Sequence, residues 1–294
     1  MKYAYYPGCS LHATAQEYNL SMRAVCNHLG IDLIEIPDWI CCGSTPAHTT
    51  SQWLSLALAI ANCTWAESHH LDIIAPCASC FSRLKVANLE VKRDAIVRKK
   101  VNGLIDEQYE GNVTILNPLH LFNRLDVQGQ IKALLKRDLS SLKVACYYGC
   151  LLARPQEITG EENCEAPVKM DNIVSALGAA TCNWPYKTEC CGASLAITQP
   201  KVALRLACEI LSSAQEHGAD CIAVACPLCQ SNLDLRQSEV SKELGREIRI
   251  PIVYFTQLVG LAMNLQEKAI GLKHLITEPF ALLEEKGILV AAGK

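Results

Sequence analysis

Cysteine is the residue type in this sequence whose number and spacing point most directly to chemistry. The 294-residue chain contains 17 cysteines, and ten of them form two sets of five. Each set has a single cysteine, an adjacent pair followed by glycine, and a Cys-x-x-Cys motif. Thiolates are soft metal ligands, so the repeated sets predict metal binding. The first set is Cys9, Cys41, Cys42, Cys77 and Cys80, and the second is Cys150, Cys190, Cys191, Cys226 and Cys229.

The two sets belong to an internal repeat that spans most of the chain. In each set 34 residues separate the adjacent pair from the Cys-x-x-Cys motif, and the last four cysteines recur at a constant offset of 149 positions. The residues before the first cysteine are also alike, Tyr-Pro-Gly in one half and Tyr-Tyr-Gly in the other. The period is too long and the copies too few for a solenoid. We therefore predict two homologous domains, residues 1–135 and 136–294, related by an approximate two-fold axis.

Apolar patterning predicts an α/β fold with mostly parallel sheets for both halves, because short β-like runs alternate with segments of helical periodicity. In such sheets the loops beyond the carboxyl ends of the strands collect ligands. The cysteine motifs fall in these loops, so we expect cysteines distant in sequence to converge. Strands are predicted at 3–6, 33–36, 73–75, 113–116, 144–147, 221–225 and 250–255, and helices at 17–29, 52–69, 171–177 and 201–217.

Five thiolates in each half limit the metal centres that the chain can hold. A Cys-x-x-Cys motif at a strand-to-helix turn directs two sulfurs at one centre, and the helix amides can hydrogen-bond an anionic cluster. Gly43 and Gly192 follow the adjacent pairs and permit the sharp turn that brings both cysteines to one site. Five thiolates exceed the four of a structural zinc site or a cubane cluster. Iron–sulfur clusters are therefore favoured, with structural zinc and metal-free dithiol exchange as the alternatives.

The remaining composition excludes several classes of protein. A net charge of −3, from 27 basic and 30 acidic residues, gives no general attraction to nucleic acid. We expect no secretory signal and no transmembrane segment, because the sequence has neither pattern. The number of cysteines is odd and no secretory signal is expected, so the sequence predicts a cytoplasmic protein rather than a disulfide scaffold. The GxGxxG, GxxxxGK[ST], HExxH and GxSxG motifs are absent, so electrons must come from another protein.

Other polar segments are weaker candidates for function. His69 and His70 are predicted to end a helix, and His120 follows a strand, either facing the site or as an ordinary loop residue. The segment 83–100 carries seven basic and two acidic residues, which indicates a solvated helix face or a docking surface for an acidic partner. Amphipathic helices are expected at 257–265 and 269–283. The cysteines without an assigned role are Cys26, Cys63, Cys146, Cys164, Cys182, Cys208 and Cys221, of which Cys26, Cys63 and Cys208 are typical of buried core positions.

The complete pattern resembles the duplicated cysteine-rich CCG domain, and the Tyr-Pro-Gly-Cys-Ser start at residues 6–10 is similar to the CCG-domain subunit of heterodisulfide reductases. The resemblance implies two noncubane [4Fe-4S] clusters, each held by one set of five cysteines, with a disulfide substrate bound between them. In an alternative, zinc replaces one of the two clusters. The resemblance also implies two partners, a small iron–sulfur subunit and a flavin-containing subunit, through which the chain could associate with a membrane.

The same domain occurs in the cysteine-rich subunit of some succinate dehydrogenases and fumarate reductases, and in glycolate- and lactate-oxidising enzymes. A second interpretation follows from that distribution. The chain would then be an iron–sulfur electron-transfer subunit of a quinone-linked succinate or fumarate enzyme, or of a 2-hydroxy-acid oxidoreductase. Two clusters suit a disulfide reductase because reduction of one disulfide takes two electrons, whereas an iron–sulfur cluster usually delivers one at a time.

Overall fold

Two four-stranded parallel sheets form the framework of the protein in the computed structural model, which describes residues 1–44 and 46–290. The sheet of the N-terminal half has the strand order β2-β1-β3-β4, and that of the C-terminal half has the equivalent order β6-β5-β7-β8. The predicted α/β class is confirmed. The strands are β1 (Lys2–Tyr5), β2 (Asp32–Glu35), β3 (Ile73–Ile74), β4 (Ile115–Leu116), β5 (Lys143–Tyr147), β6 (Ala180–Thr181), β7 (Cys221–Val224) and β8 (Ile252–Tyr254).

Helices connect the strands and cover the sheets. In the N-terminal half they are α1 (Gly8–His12), α2 (Gln16–His28), α3 (Pro46–Thr50), α4 (Gln52–Ala61), α5 (Thr64–Ser68), α6 (Ala78–Arg93), α7 (Ala95–Ile105), α8 (Pro118–Phe122) and α9 (Leu125–Leu134). In the C-terminal half they are α10 (Cys150–Ala153), α11 (Gln156–Thr159), α12 (Lys169–Ala176), α13 (Pro200–Glu216), α14 (Pro227–Leu235), α15 (Gln237–Leu244), α16 (Phe255–Ala262) and α17 (Phe280–Glu285), with short 3₁₀ turns at Ala193–Leu195 and Leu272–His274. In the described ranges, no helix has both the length and the apolar character that crossing a membrane requires.

The central strands are the ones that the sequence predicts most clearly. Strand β7 is buried along its whole length, as are β5 after its first residue and β8. Strands buried on both faces are continuously apolar, which explains why these runs stand out. Strand β6 was not predicted, because it is a two-residue edge strand that contains the partly exposed polar residue Thr181.

Three predicted helices were wrong in extent. The segment 52–69 is divided between α4 and α5. The basic segment 83–100 is divided between α6 and α7 at Asp94, whose carboxylate accepts hydrogen bonds from the amides of Ile96 and Val97 and so begins a new helix. The segment 269–283 is mostly irregular, because the buried carboxylate of Asp234 binds the amides of residues 276 and 277 at 2.9 and 3.0 Å.

The two halves pack through equivalent elements. Helix α2 of the N-terminal half packs on α16 of the C-terminal half, and the equivalent helices α12 and α8 pack on each other in the same way. A second pair of equivalent contacts joins α1 to α14 and α10 to α6. The side chains of Tyr18 and Tyr254 stack across this interface with ring centroids 4.1 Å apart, and the hydroxyls of Ser21 and Thr256 are 2.7 Å apart. This reciprocal packing is that of an approximate two-fold axis, and it brings the cysteine-bearing sheet edges of both halves together.

Candidate metal centres

All the motif cysteines lie beyond the carboxyl ends of strands, where parallel sheets place their ligands. The first cysteine of each set is in a short helix, at Cys9 in α1 and Cys150 in α10. Cys77 and Cys226 are the N-cap residues of α6 and α14, so each Cys-x-x-Cys motif forms a strand-to-helix turn as expected. The adjacent pairs follow β2 and β6 in irregular backbone.

The C-terminal set surrounds one cavity. Its volume is about 70 Å³, several times the roughly 10–15 Å³ that a cavity needs to hold one water molecule. The sulfurs of Cys191 and Cys229, both on its wall, are in contact at 3.5 Å. The cavity wall contains all five cysteines of the set, Cys150, Cys190, Cys191, Cys226 and Cys229.

The N-terminal set shares one sulfur–sulfur contact with the C-terminal set but is more open to solvent. The sulfurs of Cys42 and Cys80 are 3.5 Å apart, the same distance as in the other half. The thiolates of Cys41, Cys77 and Cys42 lie close enough to Cys9 that their charge adds to the effect of burial in raising its pKa. Cys9 and Cys41 are exposed, whereas their counterparts in the C-terminal half are partly buried. Both halves therefore bring together the five cysteines that the sequence singles out.

Hydrogen bonds between thiols lower the pKa of one cysteine in a pair and raise that of the other. The hydrogen bond from Cys80 lowers the pKa of Cys42 to about 7, while the pKa of Cys80 is raised. In the other half Cys150 acts on Cys190 in the same way and lowers its pKa to about 6. Metal ligation requires thiolates, and at least one thiol in each set is easily deprotonated, while the pKa values of Cys9, Cys80, Cys150 and Cys229 are raised.

Cys226, in the Cys-x-x-Cys motif of the C-terminal half, lies close to the N-terminal half of the molecule. Its pKa is lowered to about 7, first by the thiol of Cys229 and then by the backbone amides of Cys229, Leu228 and Ala78, against the opposing effect of burial. Ala78 belongs to the N-terminal half. The Cys-x-x-Cys turn of one half is therefore in contact with a cysteine of the other half.

Glycines allow the cysteine-bearing loops to approach each other closely. Gly43 and Gly192 have φ of +73° and +80°, the left-handed region that the predicted sharp turns after the adjacent pairs require. A Cβ atom on Gly8 would be 3.0 Å from the sulfur of Cys80, and one on Gly149 would be 3.1 Å from that of Cys229. No side chain fits at the latter two positions without moving a sulfur.

Two tyrosines at equivalent positions hold the adjacent cysteine pairs, and the sequence analysis missed them. The hydroxyl of Tyr6 donates to the carbonyl of Ile40 at 2.7 Å, and that of Tyr147 donates to the carbonyl of Glu189 at 2.6 Å. In both halves the accepting residue is the one directly before the cysteine pair. The signal was present in the repeat, because both tyrosines lie three positions before the first cysteine of their set.

The donor set fits a cluster better than a single ion. Each set consists of thiols, without the carboxylate ligands that hard metal ions prefer. Among residues 1–44 and 46–290, no three His, Cys, Asp or Glu side chains are arranged to hold one metal ion. Five thiols line a cavity larger than one water molecule, and thiolates are the usual ligands of iron–sulfur clusters.

The histidines singled out in the sequence have structural contacts. The imidazole of His120 caps α8 through Asn117 and bonds the carbonyl of Thr159 in the other half at 2.8 Å. Burial lowers its pKa to about 4, so it is neutral at physiological pH. His69 follows α5, and its ring nitrogen is 2.8 Å from the carbonyl of Trp65, in agreement with the predicted helix end. Neither histidine lines the C-terminal cavity.

The cysteines predicted to be core residues are buried. Cys26 and Cys63 have no exposed surface, and Cys208 is 7% exposed. Burial raises the pKa of Cys63 to about 12, and its thiol donates to the carbonyl of Ala59 one helical turn earlier. These thiols behave as small apolar side chains.

Relatives of the chain are parts of redox enzymes. It is 31% identical over 280 residues to the 8-methylmenaquinol:fumarate reductase membrane anchor subunit of Wolinella succinogenes, covering 94% of this chain and 97% of that one. It is 28% identical to one subunit of the ferredoxin/F(420)H(2)-dependent CoB-CoM heterodisulfide reductase of Methanosarcina acetivorans, with 92% of each chain covered. A protein of Archaeoglobus profundus, named for its likeness to the same subunit of heterodisulfide reductase, is 27% identical, over 92% of this chain and 94% of that one.

A solved structure and a family model agree with the architecture. The crystal structure of a hypothetical protein from Helicobacter pylori superimposes with a TM-score of 0.76 over 94% of this chain at 14% identity, and the chain spans about half, 52%, of that protein. The family model described as a cysteine-rich domain, CCG, matches residues 3–85 and again residues 144–234. Both matches contain a complete set of five cysteines in the arrangement described above. The chain therefore belongs to the CCG cysteine-rich domain family and carries the domain twice.

Proposed function

We propose that this chain is the catalytic iron–sulfur subunit of a complex similar to heterodisulfide reductase, an oxidoreductase that acts on a disulfide. Two noncubane [4Fe-4S] clusters are its proposed cofactors, and each would supply electrons one at a time when bound. Membership of the cysteine-rich family and the relatives named for heterodisulfide reductase support this iron–sulfur role. The proposed ligands are Cys9, Cys41, Cys42, Cys77 and Cys80 for one cluster and Cys150, Cys190, Cys191, Cys226 and Cys229 for the other, with Gly43 and Gly192 shaping the loops.

The observation that carries the proposal is the contact between the two sites. Ala78 and Ser79, from the Cys-x-x-Cys turn of the N-terminal half, line the cavity formed by the five cysteines of the C-terminal half. The two sets are therefore neighbours in space, although they are 141 to 149 positions apart in sequence. Reduction of a disulfide breaks one S–S bond and consumes two electrons and two protons. Two adjoining one-electron sites match that requirement.

The polypeptide contributes position and shielding to this chemistry. The tyrosine hydroxyls fix the backbone before each cysteine pair, and the backbone amides of Leu228 and Cys229 stabilise negative charge on Cys226. The C-terminal cavity is mostly apolar, with Leu151, Ala193 and Leu228 on its wall, which limits the access of water. These groups hold the thiolates in place and limit the access of solvent to the sulfurs of the C-terminal set.

The tyrosine contacts give a local prediction. Tyr147→Phe should alter the electron paramagnetic resonance (EPR) signal of the C-terminal cluster and Tyr6→Phe that of the N-terminal one, because each removes the hydrogen bond that fixes a cysteine pair. The free energy of unfolding should fall by about 1 kcal/mol in both variants. Tyr5→Phe is the matched control, since this neighbouring buried hydroxyl bonds Asn19 rather than a cysteine loop. An altered signal in Tyr5→Phe, or an unaltered one in both other variants, would contradict the assigned role.

Electrons would reach the chain through partner proteins. We propose two partners, a small iron–sulfur subunit and a flavin-containing subunit, since the resemblance to heterodisulfide reductases implies them and the Methanosarcina acetivorans relative is named as one subunit of such a reductase. The basic residues of α6 and α7 form a candidate contact for an acidic partner. They are Arg83, Lys85, Lys92, Arg93, Arg98, Lys99 and Lys100.

A second candidate function is that of an electron-transfer subunit in a quinone-linked fumarate or succinate enzyme. The relative that favours it is the Wolinella succinogenes protein, which is 31% identical over nearly the full length of both chains. In this role the two clusters would form a relay between a quinol and a flavoprotein. No disulfide would then be needed, and the partners would differ.

Substrate assays of the purified, cluster-loaded chain should separate these functions. With a chemically reduced viologen as one-electron donor, the first function predicts consumption of a disulfide, such as the CoB-CoM heterodisulfide, with two thiols formed for each disulfide lost. The second predicts no thiol formation, but oxidation of 8-methylmenaquinol when a fumarate reductase flavoprotein is present. Activity only in the second assay would overturn the disulfide proposal.

A further inference from the structure

A cavity in the N-terminal half, called here the α4–α6 cavity, lies between α3, α4 and α6. Its volume is about 240 Å³, below the roughly 300–1,000 Å³ of pockets that take drug-sized ligands, so it suits a small molecule. The apolar part of its wall consists of Leu56, Val86 and Ala87. The polar part includes Ser55, Arg83, His48 and Glu90.

Two hydrogen-bond donors on this wall lack a partner in the protein. Ser55 is only 8% exposed, yet its hydroxyl makes no hydrogen bond with residues 1–44 or 46–290. The guanidinium of Arg83, one turn after Cys80 on α6, is partly buried and has neither a hydrogen bond nor an ion pair within the same residues. Buried polar groups are normally hydrogen-bonded, so these two donors can take an acceptor from outside the chain.

The C-terminal half shows what lies in the equivalent place there. With the Cys-x-x-Cys motifs aligned, Arg236 corresponds to Ala87. Its guanidinium donates to the side chains of Asn232 and Glu239 at 2.9 and 3.1 Å and to the carbonyl of Ala196 at 3.4 Å. The side chain of this arginine is 14% exposed, and it joins α14 to the segment after the short 3₁₀ turn.

In the N-terminal half the residues at these positions leave the space open. Alanine at position 87 is too short to cross it, and Arg83 takes the place of Asn232. Glu90, the counterpart of Glu239, has no ion pair within the described part of the chain. An unpaired guanidinium at a cavity is well suited to a carboxylate, because its planar fork can donate two parallel N–H bonds to the two oxygens.

We propose that the α4–α6 cavity binds a small monocarboxylate, with the charged end on Arg83 and Ser55 and the alkyl part on the apolar wall formed by Leu56, Val86 and Ala87. Glu90 is exposed at the rim. Its charge opposes a second negative charge on the ligand, which favours a monocarboxylate over phosphate. The inference depends on no metal centre and does not rest on the proposed function.

Butyrate and its uncharged analogue butyramide are the probes for this site, in a ligand-observed NMR titration of the purified chain. Butyrate should bind, and butyramide should bind at least about tenfold more weakly because it lacks the charge that Arg83 recognises. Arg83→Gln should weaken butyrate binding by about tenfold or more, and Ser55→Ala by about threefold. Arg93→Gln is the matched control, since it removes an exposed arginine of the same helix outside the cavity wall and should leave the affinity unchanged.

The double variant Arg83→Asn/Ala87→Arg gives this half the side chains of the other, with Glu90 available as an ion-pair partner. It should fold and bind no butyrate, so it decides the matter if either single substitution prevents folding. Unchanged affinity in Arg83→Gln, equal binding of butyrate and butyramide, or retained binding by the folded double variant would overturn the inference. Tighter binding of inorganic phosphate than of butyrate would overturn the assignment to a monocarboxylate.

Discussion

Protein purified without oxygen is expected to contain about eight irons and about eight acid-labile sulfides per chain, if each set of five cysteines holds a four-iron cluster. The physical reason is the donor set, since five thiols surround the C-terminal cavity and the N-terminal set has the same sulfur spacing. Metal and sulfide analysis measures this directly. About two zincs with negligible sulfide would contradict the proposal, and one zinc beside about four irons would mean that only one half binds a cluster.

Single cysteine variants test the ligand assignment within the same measurement. Cys191→Ala should reduce the iron content to about half, because it removes a thiol that lines the cavity and that no neighbour can replace. Cys63→Ala is the matched control, since this buried thiol contacts a helix carbonyl and its loss should cost only about 1 kcal/mol of stability. Loss of iron in Cys63→Ala with retention in Cys191→Ala would show that the ligand set is wrong.

Disulfide reduction is expected to require both halves at once. If each site supplies one electron to the same S–S bond, loss of either cluster should lower the rate by at least about tenfold, because groups that act as one unit are not additive. The variants Cys42→Ala and Cys191→Ala each remove one thiol of a close pair, one in each half. The measurement is thiol release from a disulfide with reduced viologen, after EPR has established that the other cluster is intact.

The double variant provides the control for this experiment. Under the shared-site proposal it should be no less active than either single variant. Two independent sites would instead leave about half of the activity in each single variant and none in the double. Loss in only one single variant would restrict the reaction to that half and leave the other as an electron relay.

The repeat and the buried strands could be predicted because they depend on local sequence. The constant offset between the cysteine sets identifies the duplication, and the apolar runs of β5, β7 and β8 identify central parallel strands. Helix boundaries were less predictable, because they depend on single side-chain contacts. Asp94 ends one helix and begins the next by accepting two amides, and Asp234 binds amides 42 and 43 positions away that would otherwise belong to a predicted helix.

The relation between the two sites could not be predicted from spacing. Sequence periodicity locates each cysteine set at a sheet edge, but it does not give the packing of one half on the other. That packing depends on contacts such as the stacking of Tyr18 on Tyr254, residues that have no equivalent tyrosine in the opposite half. The contact of Ala78 with the second cavity follows from the same interface. The roles of Tyr6 and Tyr147 also required the structure, because their acceptors are backbone carbonyls 34 and 42 positions away.

The reciprocal packing of the halves has a consequence for how the molecule evolved. An interface in which α2 meets α16 as α12 meets α8 is the one that two copies of a single ancestral domain would form in a homodimer. In a homodimer one codon specifies both copies of a position, so Ala78 and its partner would have to be identical. A single chain that contains both copies is free of that restriction. Ala78 and Pro227, which are at equivalent positions of the two Cys-x-x-Cys motifs, can therefore differ.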